Sequence, residues 1–115
     1  MDKRRGATAH TRAVLEAARR EDRLDWADQQ DFEDASRGFI ARVETPTVLR
    51  ADGGIVWNLN EFAFIDAEEA PDTVNPSLWR QARLNMLHGL FRVTDRLYQV
   101  RSMDHSVISF IEGDS

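Results

Sequence analysis

The stretch from Asn75 to Phe91 constrains this chain more than any other part of it. Asn75 suits an N-cap, because its side-chain oxygen can accept from a free N–H of the first turn. Pro76 suits the first helical position, where its missing N–H costs nothing. Behind them Trp79, Ala82, Met86 and Leu90 recur at helical spacing, with Leu78, Leu87 and Phe91 widening the apolar stripe and Arg80 and Arg83 on the other side. Gly89 offers a C-terminal stop, so the pattern predicts an amphipathic helix at about 76–88. Leu97–Arg101 and Val107–Ile111 then alternate as strands do, and Ser102–Ser106 reads as the turn of a terminal β-hairpin. One good helix and two strands make a poor core alone. The pattern reads as the opening of a larger α/β domain.

Upstream the signals are weaker. Thr11–Arg23 is rich in Ala and Arg, but its apolar face (Val14, Leu15, Ala18) is narrow, which predicts a weak or frayed helix. Asp31–Ile40 reads as a second short helix carrying Phe32, Ala35 and Phe39, with Gly38 loosening its end. Val48–Arg50 and Ile55–Trp57 flank Ala51-Asp52-Gly53-Gly54, a tight-turn sequence, and predict a small hairpin. Glu61–Ile65 fits either a short strand or a turn of helix. The fold class is therefore α+β, with N-terminal helices, a small hairpin, the 76–88 helix and the terminal hairpin. Charge divides the chain the same way, as residues 1–23 carry net +3, 24–72 net −9 and 73–115 net +1. We read 1–23 as a weakly ordered basic segment and 24–115 as one incomplete domain.

Composition removes several functions. The absence of cysteine excludes a disulfide scaffold, thiolate zinc ligands and a cysteine nucleophile. A net charge of −5 argues against nucleic-acid binding, which needs a basic footprint. No run approaches the roughly 18 apolar residues of a membrane span. The basic start, Met1–Gly6, is not followed by an apolar signal core, since Thr8, His10, Thr11 and Arg12 interrupt it, and the expected compartment is cytoplasmic. Arg is used in place of Lys at every basic position but Lys3, a bias of GC-rich genomes that fits a bacterial source.

Candidate chemistry is thin. Asp104-His105-Ser106 has the residue types of a catalytic triad, but consecutive residues in extended chain face opposite ways, so an ordinary polar turn is expected. His10, His88 and His105 share no metal-ligand spacing. Asp25, Asp28, Asp31, Glu33 and Asp34 lack the grammar of a calcium loop and read as a solvated acidic face. The stripe of Trp79, Met86, Leu90 and Phe91 suits core packing first, and an alkyl-chain wall or a partner surface second.

At this helix the chain meets a known pattern. Ala70-Pro71-Asp72-Thr73-Val74-Asn75-Pro76-Ser77-Leu78-Trp79-Arg80-Gln81, continuing through Leu84-Asn85 to His88-Gly89-Leu90-Phe91, closely resembles the N-terminal region of the alkyl sulfatases, dinuclear-zinc hydrolases of the metallo-β-lactamase superfamily. Asp31–Ala35 with Arg37–Ala41, Ala51–Trp57, Leu97–Arg101 and Phe110–Asp114 resemble further segments in the same order, so the resemblance covers about residues 24–115.

That resemblance implies the start of a metallo-β-lactamase αββα domain. In such hydrolases a His-x-His-x-Asp-His motif holds two zinc ions and activates water for attack on a sulfate ester. None of those ligands is in this sequence, so no catalytic or metal residue is assigned here, and the chain alone is expected to be inactive. Asn75, Pro76, Trp79, Arg80, Met86 and Phe91 are expected to be structural or to flank substrate. An alkyl sulfate would bind only the intact enzyme, in which a second chain carrying the zinc motif is the expected partner if the gene is split or frameshifted. The competing reading is a stand-alone binding or interaction module. The chain departs from the family's pattern at Arg96 and Ser102, where the family tends to have Gly, and at Val107, where it tends to have Asn. The two lost glycines put the last hairpin under question wherever φ must be positive.

Overall fold

The computed structural model of the protein describes residues 6–114. Its first element, α1 (Ala9–Arg19), is capped by Thr8, whose hydroxyl accepts from the Thr11 N–H, and it buries Leu15. The helix starts two residues before the expected Thr11 and stops four before Arg23. Helix α2 (Gln30–Ser36) comes next, with Asp31 and Glu33 in its first turn, where carboxylates suit the positive end of the helix dipole.

The second helix does not reach Ile40 as expected, a first correction. Gly38 adopts φ +75° and turns the chain, so Phe39–Ala41 forms strand β1 instead. The small hairpin is present as expected, with β2 (Thr47–Leu49) antiparallel to β3 (Ile55–Asn58) and Val48 opposite Trp57. Gly53, at φ +84°, supplies the turn, and Asp52 Oδ1 accepts from the Gly54 N–H at 2.9 Å. Leu59–Asp66 is a 3-10 helix, which settles the open choice at Glu61–Ile65.

Helix α3 runs Pro76–Asn85. Asn75 caps it as expected, its Oδ1 accepting from the Ser77 N–H at 2.9 Å. It ends three residues short of the expected 88, because Met86–His88 form tight turns in which the Met86 N–H bonds Arg83 and the His88 N–H bonds Met86. Gly89 is not the helix stop that was expected, because the helix has already ended and Gly89 opens a strand, β4 (Gly89–Thr94). Leu90 and Phe91 therefore belong to a sheet and not to the helical stripe, a second correction. Strands β5 (Leu97–Arg101) and β6 (Ile108–Ile111) form the expected terminal hairpin.

The main sheet is antiparallel in the order β1-β4-β5-β6, and β2-β3 stands apart. Phe91 sits at its centre, 1% exposed, opposite Phe39 on one side and Gln99 on the other. The Phe39 ring meets it edge-on at 5.7 Å, and the Arg101 guanidinium lies 4.6 Å above it. Only Leu15, Leu59, Trp79 and Phe91 are buried apolar side chains among the described residues.

The molecule is flat, measuring 61 × 42 × 18 Å, with a radius of gyration of 18.2 Å where a compact chain of this length has about 13 Å. Its accessible surface is 9160 Å², against about 6,400 Å² for a compact monomer of 13.2 kDa.

Two backbone positions are open to test. A Cβ on Gly38 would lie 2.0 Å from the Arg92 carbonyl oxygen at a φ that already disfavours side chains, so Gly38→Ala is expected to cost about 2–4 kcal/mol in urea unfolding. Ser102 holds φ +57°, the only such non-glycine among the described residues, whereas Arg96 does not need a positive φ. Ser102→Gly is expected to raise stability by about 0.5–1 kcal/mol, read from the urea midpoint, and Arg96→Gly to give no gain.

Candidate functional site

Helix α3 is the hub of two grooves. On one side Trp79, 6% exposed, donates its Nε1–H to the Ala67 carbonyl at 2.8 Å and packs against Phe64. This bond ties the end of the 3-10 helix to α3. Beside it, Arg80 binds the Asp31 carboxylate at 2.8 Å and the Asp28 carbonyl at 3.0 Å, fastening α3 to the start of α2. Arg80 and Arg83 both lie over the Phe32 ring, at 5.2 and 5.4 Å. Together Trp26, Phe32, Trp79 and these two arginines wall an open groove of about 600 Å³, whose rim carries Glu16, Glu69 and Asp72. Positive and negative groups are mixed there, so it presents no uniform field to an anion.

The second groove, about 450 Å³, runs between β3, the 3-10 helix, α3 and the β5–β6 turn. Trp57, Phe62, Ile65, Met86, Met103 and His105 line it, and the His105 ring meets Trp57 edge-on at 6.3 Å. Such a wall of aromatic and thioether groups suits an apolar occupant. The indole N–H groups of Trp26 and Trp57, one beside each groove, are buried without a hydrogen-bond partner.

Of the expected helix-face residues, Asn75 and Pro76 start α3, Trp79 and Arg80 line the first groove, and Met86 lines the second. Phe91 joins neither, because it is enclosed in the sheet. Asp104-His105-Ser106 is a polar turn in which Asp104 Oδ1 accepts from the Ser106 N–H at 2.6 Å. His88 lies past the end of α3, its Nδ1 3.0 Å from the Met86 carbonyl. Trp57, Phe62 and Met103 were not legible in the sequence as groove residues, since Met103 lies far along the chain from the other two and no spacing rule connects them. Among the described residues no three His, Asp or Glu side chains converge so as to hold a metal ion, and no helix is long and apolar enough to cross a membrane.

The chain matches no family model. It is 45% identical over 104 residues to the alkyl/aryl-sulfatase BDS1 of Saccharomyces cerevisiae, covering 90% of this chain and 16% of that protein. It is 47% identical over 92 residues to the (R)-specific secondary-alkylsulfatase of a Pseudomonas species, covering 80% and 14%, and 42% identical over 108 residues to a Pseudomonas linear primary-alkylsulfatase, covering 93% and 16%. The solved structure of the stereoselective inverting sec-alkylsulfatase Pisa1 from Pseudomonas superposes with a TM-score of 0.85 at 43% identity, over 96% of this chain and 17% of that one. The chain is homologous to a segment of the alkylsulfatases. It spans about one sixth of their length, and along that sixth it keeps the fold of the alkylsulfatase almost end to end.

One electrostatic tie beside the first groove is testable. Arg12, on α1, bonds the Asp72 carboxylate at 2.8 Å and holds its acid below the ordinary carboxylate range. A carboxyl whose folded pKa is depressed stabilises the fold above its unfolded pKa and loses that contribution as pH falls through the folded value. The urea midpoint of the wild type is therefore expected to fall as pH drops below about 4, and Asp72→Asn is expected to flatten that acid limb slightly.

Proposed function

We propose that this chain is the N-terminal segment of an alkylsulfatase-like hydrolase of the metallo-β-lactamase type, and that it supplies scaffold and not catalytic groups. The carrying observation is the match of 96% of the chain, at TM-score 0.85, to 17% of a sec-alkylsulfatase. The surface supports it, since a chain exposing about 2,700 Å² more than a compact monomer of its mass has the surface of a part and not of a whole.

The residues here do not fit the two zinc ions of such a hydrolase. Three histidines without common spacing, no cysteine and scattered carboxylates give no closed donor set among the described residues. Sulfate-ester hydrolysis would therefore draw its metal, its water and its charge stabilisation from polypeptide outside these residues, in the same chain or in a second one. Helix α3 would serve by holding the first groove's walls in place through Trp79 and Arg80.

A second reading, an apolar-ligand module, is favoured by the groove around Trp57 and Met103, whose size and lining suit an alkyl chain. Three measurements test them, and the last separates them. The purified chain is expected to carry no stoichiometric zinc by elemental analysis and to release no sulfate from dodecyl sulfate below its micelle concentration, with or without added zinc. Sulfate release by this chain alone would overturn the scaffold reading. Saturable quenching of tryptophan fluorescence by dodecanol, lost in Met103→Asp, would move the choice to the binding module.

A further inference from the structure

A third groove, of about 360 Å³, opens between α2, the loop before β2, the 3-10 helix and the end of α3. Phe32, Leu59, Ile65, Met86 and Leu87 give it apolar walls, and Arg42 and Arg83 stand among them. These two arginines are exceptions in this chain. Nine other arginines form an ion pair with a carboxylate. Among the described residues only Arg42, Arg83 and Arg101 do not, and Arg101 is engaged by the Phe91 ring and by Gln99. Arg83 is half-buried and lies 5.4 Å over the Phe32 ring, with no side-chain hydrogen bond among the described residues. Arg42 lies 5.2 Å over the Phe39 ring and donates its Nε–H to the His88 carbonyl at 3.3 Å. Its terminal N–H groups have no partner among the described residues. Asp66, the one carboxylate of the lining, pairs with neither arginine.

Charge separates this groove from the two described above. Its lining holds two guanidinium groups against one carboxylate, a surplus of one positive charge. The first groove holds three guanidinium groups against four carboxylates, and the groove of Trp57 holds Asp104 and no arginine. A half-buried guanidinium with unmet donors is costly, and a carboxylate meets its fork with two parallel hydrogen bonds. One surplus charge matches a monoanion better than a phosphate dianion. The apolar walls call for a hydrocarbon body behind the anion, and the volume falls in the range of small-molecule sites. We infer that this groove binds a medium-chain alkyl carboxylate, with Arg83 and Arg42 on the anion and Met86 and Leu87 against the hydrocarbon. Every residue the site needs lies within this chain, so the inference does not rest on the segment role.

The test is calorimetric titration of the purified chain with octanoate below its micelle concentration, beside octanol, acetate and inorganic phosphate. Octanoate is expected to bind saturably, one per chain, with octanol and acetate each weaker by about tenfold or more. Arg83→Met is expected to weaken octanoate about tenfold. Arg96→Met, which removes an arginine paired with Asp114 outside the groove, is expected to leave it unchanged. Octanol binding as tightly as octanoate overturns the anion contact. Acetate binding as tightly overturns the apolar walls and makes the groove a seat for a carboxylate side chain of other polypeptide. Phosphate binding more tightly than octanoate overturns the monoanion. A loss in Met103→Asp with none in Arg83→Met moves octanoate to the groove of Trp57 and overturns the site. Absence of saturable octanoate binding overturns the proposal outright. If Arg83→Met does not keep the far-UV dichroism of the wild type, the comparison of ligands on the wild type decides alone.

Discussion

Phe91 is the side chain on which the sheet depends. It lies at the middle of β4, the strand that alone joins β1 to β5, and it is the most completely enclosed large residue among those described. Its enclosure requires β1 to approach β4 closely, and two glycines permit that. A Cβ on Gly38 would meet the Arg92 carbonyl at 2.0 Å, and one on Gly89 would meet the Ala41 carbonyl at 2.6 Å. The Arg92 N–H bonds back to Gly38 at 2.7 Å, so the same contact that excludes a side chain fixes the strand. Phe39 then covers the Phe91 edge and Arg101 its face. The guanidinium brings a charge to a place where a compact domain would bring another apolar layer.

The α3 side is held differently. Trp79 is the one buried side chain of that helix, and the remaining ties are polar: Arg80 to Asp31 and Asp28, Arg12 to Asp72, and Arg19 to the Ala70 carbonyl. Exposed ion pairs contribute up to about 1 kcal/mol each and orient elements more than they stabilise them. The arrangement is thus well specified in geometry and poorly supplied with buried apolar area. That combination is what a segment needs if it must present a fixed surface to a larger body.

Local signals carried much of this into the sequence. Asn75-Pro76 marks the start of α3 because capping and proline chemistry act within one turn. Asp52-Gly53-Gly54 marks the small hairpin because positive φ is a property of single residues, and the alternation of Leu97–Arg101 against Val107–Ile111 marks the last one. Leu90 and Phe91 were illegible for a physical reason. They continue the helical period of Trp79, Ala82 and Met86, and nothing local says that Gly89 begins a strand; only pairing with β1, some fifty residues away, decides it. Phe39 and Ile40 were lost to α2 by the mirror image of that error. The groove of Trp57, Phe62, Met86 and Met103 is likewise a product of packing between elements, which periodicity cannot report. The resemblance in Asn75–Phe91 reached further than these rules, since it placed the chain among the alkylsulfatases without solving its local structure.

Ser102 places backbone strain in a turn that little buried area supports. A non-glycine residue at φ +57° costs about 1 kcal/mol or more, and it sits in the turn that aligns β6 with β5. In a domain with ample buried area that cost is a small fraction of the total. Here four buried apolar side chains and a two-sided exposed strand leave little to offset it. The last hairpin therefore sets backbone strain at its turn beside a strand that buries no side chain.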